Sequence, residues 1–188
     1  MLAYLFWHCA RAEVAASTYE SGLVAFHRSL LQSRPQGFLG SVIVALDRIP
    51  WLADRAGYAD WYLVESSADL DTINRAAVTG AREAPHDSVA ALAHDGIAGL
   101  YRVSRGRLRL AGDRIDETWL SKPPGERYAE FLARMDAGMG DFGCLWQRQM
   151  TLGPTPEFCL QNFAADATPS GTHPVRLVGR KVAQFGQV

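Results

Sequence analysis

The chain has 188 residues, of which 48% are hydrophobic and 21% charged, with a formal net charge of -1. That length allows one large domain or two small fused ones, in a composition ordinary for a globular protein, and the near-zero charge excludes a general attraction to nucleic acid or anionic membrane. Three cysteines, Cys9, Cys144 and Cys159, are odd in number and form no CxxC pair, which excludes a disulfide frame and predicts reduced thiols in a cytoplasmic protein.

The first twelve residues, MLAYLFWHCARA, end like a signal-peptide stub, but lack a basic start and contain His8, so a buried first strand is the better reading. No segment reaches the apolar length of a transmembrane helix. In the strand Leu2 to Cys9, alternation sets Tyr4, Phe6 and His8 on one face and Leu5, Trp7 and Cys9 on the other. Glu13 to Leu31 carries a helical stripe of Tyr19, Leu23, Phe26 and Leu30, with His27 beside it. Pro35, Gly37 and Gly40 break that helix, and Ser41 to Leu46 is a second strand.

Asp60 to Glu65 (DWYLVE) is a third strand, with Trp61, Leu63 and Glu65 on one face and Tyr62 and Val64 on the other. A helix follows to Gly80. Its start has capping-box spacing from Ser66 to Asp69, and its stripe is Leu70, Ile73 and Ala77. A short helix is expected over Asp87 to His94 and a β-hairpin over Gly99 to Leu110, turning at Arg105 and Gly106. Then come a strand from Glu117 to Lys122, a helix from Gly125 to Met139, strands from Gly143 to Leu152 and Glu157 to Phe163, a polar loop from Ala164 to Pro174, and a last strand to Phe185.

The order of elements invites an internal comparison. Tyr4–His8 matches Thr118–Lys122. Tyr19, Leu23, Phe26 and Leu30 match Tyr128, Leu132, Met135 and Met139 at identical spacing. Phe38–Gly40 matches Asp141–Gly143, and Trp61–Glu65 matches Phe158–Asn162. On these residues the chain resembles the dimeric α+β barrel superfamily with two tandem ferredoxin-like units in one chain. The resemblance implies an α+β fold in which two ferredoxin-like βαββ(α) halves pack as a pseudo-dimeric α+β barrel. Residues 1–80 would form the first half, 81–98 a linker with a short helix, and 99–188 a second half lacking its final helix. It implies a small monooxygenase-like or isomerase-like activity, but fold alone does not fix function. Haem is a cofactor in some relatives; of the histidines, His8, His27 and His173 are the axial candidates.

Under the repeat, His8 and Lys122 hold equivalent strand ends. His8 could act as a general base near neutral pH, and Lys122 could hold an anionic group or developing oxyanion. Glu65, the acid at the end of an apolar strand, is the third catalytic candidate. Trp7, Trp61, Tyr62, Trp119 and Trp146 would line an aromatic ligand pocket between the sheets. The alternative is a non-catalytic protein whose sheet edge or apolar face pairs with a partner or forms a homo-oligomer.

Other chemistry finds less support. His86-Asp87 and His94-Asp95 lie eight residues apart with no ligand at single-turn spacing between them, so no metal site is expected. Arg102, Arg105, Arg107, Arg109 and Arg114 are basic, but Asp113, Asp116 and Glu117 stand beside them to neutralise the charge. No RNA-recognition signature is present, so no nucleic-acid partner is expected. Neither a phosphate-binding glycine loop nor a nucleophile elbow occurs. A Cys9 nucleophile with His27 as base is weaker than a structural thiol.

Overall fold

The computed structural model describes residues 1–110, 112–138, 143–151, 155–161 and 168–186. Met139, Asp141, Phe142, Leu152, Asn162 and Phe163, which entered the sequence comparison or the expected strands, lie outside these residues. Eight strands close into an antiparallel barrel: β1 (Leu2–Ala10), β2 (Phe38–Ile49), β3 (Arg55–Val64), β4 (Ala93–Gly106), β5 (Arg114–Leu120), β6 (Cys144–Thr151), β7 (Phe158–Gln161) and β8 (Val175–Gly186). Four helices accompany them: α1 (Ala16–Gln32), α2 (Asp69–Ala77), α3 (Glu83–Ala90) and α4 (Tyr128–Gly138).

Taken in sets of four, the strands stand in one order twice: β4-β1-β3-β2, then β8-β5-β7-β6. In the first set α1 links β1 to β2, and α2 and α3 link β3 to β4. In the second set α4 links β5 to β6, and among the described residues no helix lies between β7 and β8. The expected hairpin over Gly99 to Leu110 does not form. Its alternation belongs to the single long strand β4, which pairs with β1 and β6, while β5 pairs with β7 and β8. The short helix lies earlier than expected, at Glu83–Ala90, and His94 falls in β4. The expected cap at Ser66 does not form: Ala68 stands at the N-cap of α2 and no side chain caps it, although the Asp69 carboxylate accepts from both the Ser66 amide and its hydroxyl.

Strand alternation divides the side chains into two environments. In β1, Ala3, Leu5, Trp7 and Cys9 point into the barrel, and Phe6 and His8 point toward the helices. All five tryptophans, at 7, 51, 61, 119 and 146, join the barrel core with Tyr101. Their ring centroids stand 5.2–5.4 Å apart for Trp7–Trp51, Trp7–Trp119, Trp51–Trp119 and Trp61–Trp146, the spacing of packed aromatic pairs. A second core lies between the outer barrel face and α1–α3, built on the predicted stripe Tyr19, Leu23, Phe26 and Leu30. A third, smaller core joins α4 to the second set through Phe131, Met135 and Phe158.

Two glycines set the backbone around His8. A Cβ on Gly57 would stand 2.4 Å from the His8 carbonyl oxygen, and one on Gly96, opposite His8 in the β1–β4 ladder, would stand 2.4 Å from the Phe6 ring. Only a residue without a side chain lets the strands close on β1 here.

Candidate functional site

His8 and Asp60 reach the helix-facing side of the barrel from adjacent strands, β1 and β3, and α1 lies over them. This face places one carboxylate among two imidazoles and two phenols. Asp60, 2% exposed, receives everything at one oxygen: His27 Nε2 lies 3.1 Å from Oδ2, the Tyr62 hydroxyl donates to it at 3.1 Å, and His8 Nε2 stands 3.1 Å away, off the line of a straight hydrogen bond. The other carboxylate oxygen, Oδ1, is buried with no hydrogen-bond partner among the described residues. Behind this group the second nitrogens are also engaged, His8 Nδ1 with the Tyr19 hydroxyl and His27 Nδ1 with the Ser41 hydroxyl, each at 2.8 Å. The Tyr62 ring stacks on His27.

Burial alone would raise the Asp60 carboxyl. The charges of His27 and His8 and their hydrogen bonds outweigh it and hold Asp60 below the usual carboxylate range. Burial, reinforced by the Asp60 charge, pushes the Tyr19 and Tyr62 hydroxyls upward, so both remain protonated donors at neutral pH.

A pocket of about 490 Å³ opens beside the cluster, between the barrel wall and α1–α3. His8, Tyr19, Asp60 and Tyr62 form its polar side. Phe6, Leu23, Phe26, Ile73 and Val89 form its apolar body, and Tyr4, Asp71, Asn74 and His86 add further polar groups. An apolar body with a few convergent polar groups is the usual build of a small-molecule site. A second groove, of about 730 Å³, runs past Arg11, Glu20, Tyr58 and Arg180 at the start of α1, with Arg180 and Tyr58 both bonded to Glu20. It holds no buried acid–base cluster.

The structure brings some of the expected site residues together and separates others. His8 and Tyr62 meet at the pocket. Lys122 does not join them: β1 and β5 stand four strands apart around the barrel, His8 faces α1, and the Lys122 ammonium donates to the Pro123 carbonyl and lies over the Tyr128 ring. Glu65 is exposed, past the end of β3; the buried acid of that strand is Asp60. Trp7, Trp61, Trp119 and Trp146 do converge, but on each other, filling the barrel instead of walling a cavity between sheets. A void beside Trp61 and Gln161 has about 10 Å³, the size of a single water.

The barrel interior holds a second buried acid. Glu117, 2% exposed, accepts from Trp119 Nε1 at 2.8 Å and from Gln161 Nε2 at 3.4 Å, and Gln161 accepts from Trp146 Nε1 at 2.7 Å. Burial pushes its carboxyl up to about 7 against the pull of these hydrogen bonds. Glu117 therefore does not neutralise the nearby arginines as its sequence neighbourhood suggests; Arg114 pairs with Asp116, and Arg105 with Asp136.

Sequence reasoning passed over Asp60 as a site residue and Glu117 as a core residue, and it placed Tyr19 on the buried stripe of α1 without a role in the site. Parity was the available signal. Asp60 shares its strand face with Tyr62, and Glu117 shares its face with Trp119. Cys9 lies on the barrel side of β1 and His27 on the helix side, so they form no nucleophile–base pair. Among the described residues no group of three or more potential ligands could hold a metal, and no helix is long and apolar enough to cross a membrane. Both nitrogens of His8 and of His27 face protein partners, and His173 is exposed ahead of β8.

No protein-family model and no curated protein matches the sequence. Solved structures do match the fold. A candidate monooxygenase of Fusobacterium nucleatum superposes with a TM-score of 0.66 at 9% identity, over 99% of this chain and 94% of its own. A candidate monooxygenase of Lactobacillus acidophilus gives 0.64 at 10% identity, over 99% and 96%. A candidate chlorite dismutase gives 0.57 at 15%, over 97% and 94%. At these identities the likeness is one of fold, and the shared fold is the dimeric α+β barrel that the sequence resembles.

Proposed function

We propose that this chain binds and transforms a small, largely hydrophobic molecule in the pocket between the barrel and α1–α3, exchanging a proton with it through the His8–Asp60 cluster. One observation carries the reading: Asp60 is buried on the wall of an apolar pocket, and among the described residues all its partners crowd Oδ2 and Oδ1 has none. Leaving a buried acceptor unpaired costs about 1–3 kcal/mol, more for a charged one, and an atom of this kind calls for an explanation such as a functional role or a bound water.

The chemistry such a site supports is removal of a proton from a weakly acidic O–H or C–H group. That step prepares a molecule for isomerisation or for oxygenation, and the solved structures described as candidate monooxygenases fit the second outcome. His8 and Tyr62 belong to the proposed site, and Lys122 and Glu65 receive no role in it. The repeated strand order supports two ferredoxin-like halves, with β4 closing the first, and the acid–base cluster lies in the first. Three free, buried thiols fit a reducing, cytoplasmic setting.

The test is a panel of naphthols and substituted phenols screened by saturation-transfer NMR against the wild type and Ala77→Trp, which fills the pocket from α2. Saturable binding to the wild type, weakened at least tenfold by the substitution, is expected. Absence of binding across the panel, or equal binding to both proteins, would overturn the assignment.

A further inference from the structure

We infer that the Tyr19 hydroxyl, and not the His8 ring, is the group that takes the ligand's proton, with His8 and Asp60 forming the relay behind it. The inference rests on the pocket assigned above and deepens it.

The hydrogen-bond directions follow from one fact. An ionised carboxylate can only accept. Asp60 is held ionised, so the nitrogens 3.1 Å from its Oδ2 are the ones that carry hydrogens: Nε2 of His8 and Nε2 of His27. To take up a proton His8 must start as a neutral imidazole, and in that form its other nitrogen bears the lone pair. His8 Nδ1 is therefore an acceptor, and the Tyr19 hydroxyl, 2.8 Å away, is its donor. By the same logic the Ser41 hydroxyl donates to His27 Nδ1, which fixes His27 behind Asp60; His27 is fully buried and does not line the pocket.

This leaves His8 with no free basic site. Its lone pair is covered by Tyr19, and its N–H faces Asp60. The Tyr19 oxygen, by contrast, has lone pairs to spare, and Tyr19 lines the pocket. A proton from the ligand enters at that oxygen as the Tyr19 proton leaves for His8 Nδ1. The ligand O–H or C–H bond breaks and a new Tyr19 O–H forms. The old Tyr19 O–H breaks and a His8 N–H forms. The ligand becomes an anion, His8 becomes an imidazolium beside the Asp60 carboxylate, and Tyr19 ends as it began. Because Tyr19 gains and loses a proton together, it never carries the charge that burial and Asp60 disfavour. The arrangement has the logic of a hydroxyl–imidazole–carboxylate triad, with the hydroxyl passing a proton instead of attacking.

The probe is para-nitrophenol, whose phenolate absorbs apart from the neutral phenol, in excess wild-type protein at a pH below the probe's own ionisation. The relay predicts that bound probe shows the phenolate band. Tyr19→Phe should bind it within about threefold of wild type but cut the bound phenolate fraction at least tenfold, and His8→Gln should do the same. A phenolate band that persists in Tyr19→Phe and disappears in His8→Gln would overturn the relay and give His8 the proton directly. Probe bound as neutral phenol in all three proteins overturns the relay alone; no binding to the wild type overturns the pocket assignment with it. A measurement without mutation checks the same point: the ¹⁵N shifts of His8 in the free protein should report hydrogen on Nε2 and a bare Nδ1. Hydrogen on Nδ1 would contradict the inference.

Discussion

Replacing Glu117 by Gln tests whether the barrel truly encloses a carboxyl. In the folded chain this group titrates at about 7, against an ordinary value of 4.5, because burial disfavours its charge. A folded-state value raised above the unfolded one means that its stability contribution is fully present below the unfolded value and is lost as pH rises through the folded one. From 4.5 to about 7, at 1.36 kcal/mol per pH unit, the wild type therefore loses about 3 kcal/mol through this residue alone. Gln keeps an acceptor for the Trp119 indole but turns an amide toward Gln161 Nε2, which costs about 1 kcal/mol at any pH. The variant should thus be about 1 kcal/mol less stable than wild type at pH 4.5 and about 2 kcal/mol more stable at pH 8. Urea unfolding of both proteins across that range reads the difference directly, since every other titrating group cancels between them. Parallel stability curves would refute the reasoning and place Glu117 in contact with solvent.

Three further outcomes follow from the packing and the cluster. Asp60→Asn leaves two imidazoles facing a neutral amide and should cost about 3–5 kcal/mol near pH 7. Because folded Asp60 titrates below its ordinary 3.8, its contribution is present above that value and falls away below it, so the gap to wild type should narrow in acid; a constant gap in urea midpoints would contradict this. Trp119→Ala removes the ring that touches Trp7, Trp51 and Tyr101 and should cost about 3–5 kcal/mol by urea unfolding, with a loss under 1 kcal/mol arguing against a filled barrel. Gly57→Ala drives a methyl to 2.4 Å from the His8 carbonyl, so the His8 and Cys9 amide resonances should shift while those of α4 stay fixed; unmoved β1 resonances would contradict the close approach.

The parts of this fold legible in the sequence were those with a strict local period. Alternation in LAYLFWHC separated His8 from Trp7, and the stripe of Tyr19, Leu23, Phe26 and Leu30 found the buried face of α1. The clustering of tryptophans was legible, but its purpose was not: aromatic side chains that wall a cavity and aromatic side chains that fill a barrel carry the same pattern. Partner choice was also hidden. Arg105-Gly106 reads as a hairpin turn, yet nothing local says that the next strand will pair with β7 and β8 instead of folding back. The acid–base cluster depended on the same missing information. Asp60 stands at the start of an aromatic run, where a carboxylate commonly ends a strand in water, and its partners arrive from β1 and α1. Glu117 sits among Arg114, Asp116 and other surface charges. Only its parity with Ile115 and Trp119 told of the interior.

The central claim is that the pocket between the barrel and α1–α3 is the ligand site. Amide chemical-shift mapping of the naphthol that binds most tightly in the panel tests it most directly. Shifts confined to residues around the pocket, including Phe6, His8, Tyr19, Asp60, Ile73 and Ala77, are the predicted result. Shifts gathered along the Arg11–Arg180 groove, or spread without focus over the surface, would contradict it.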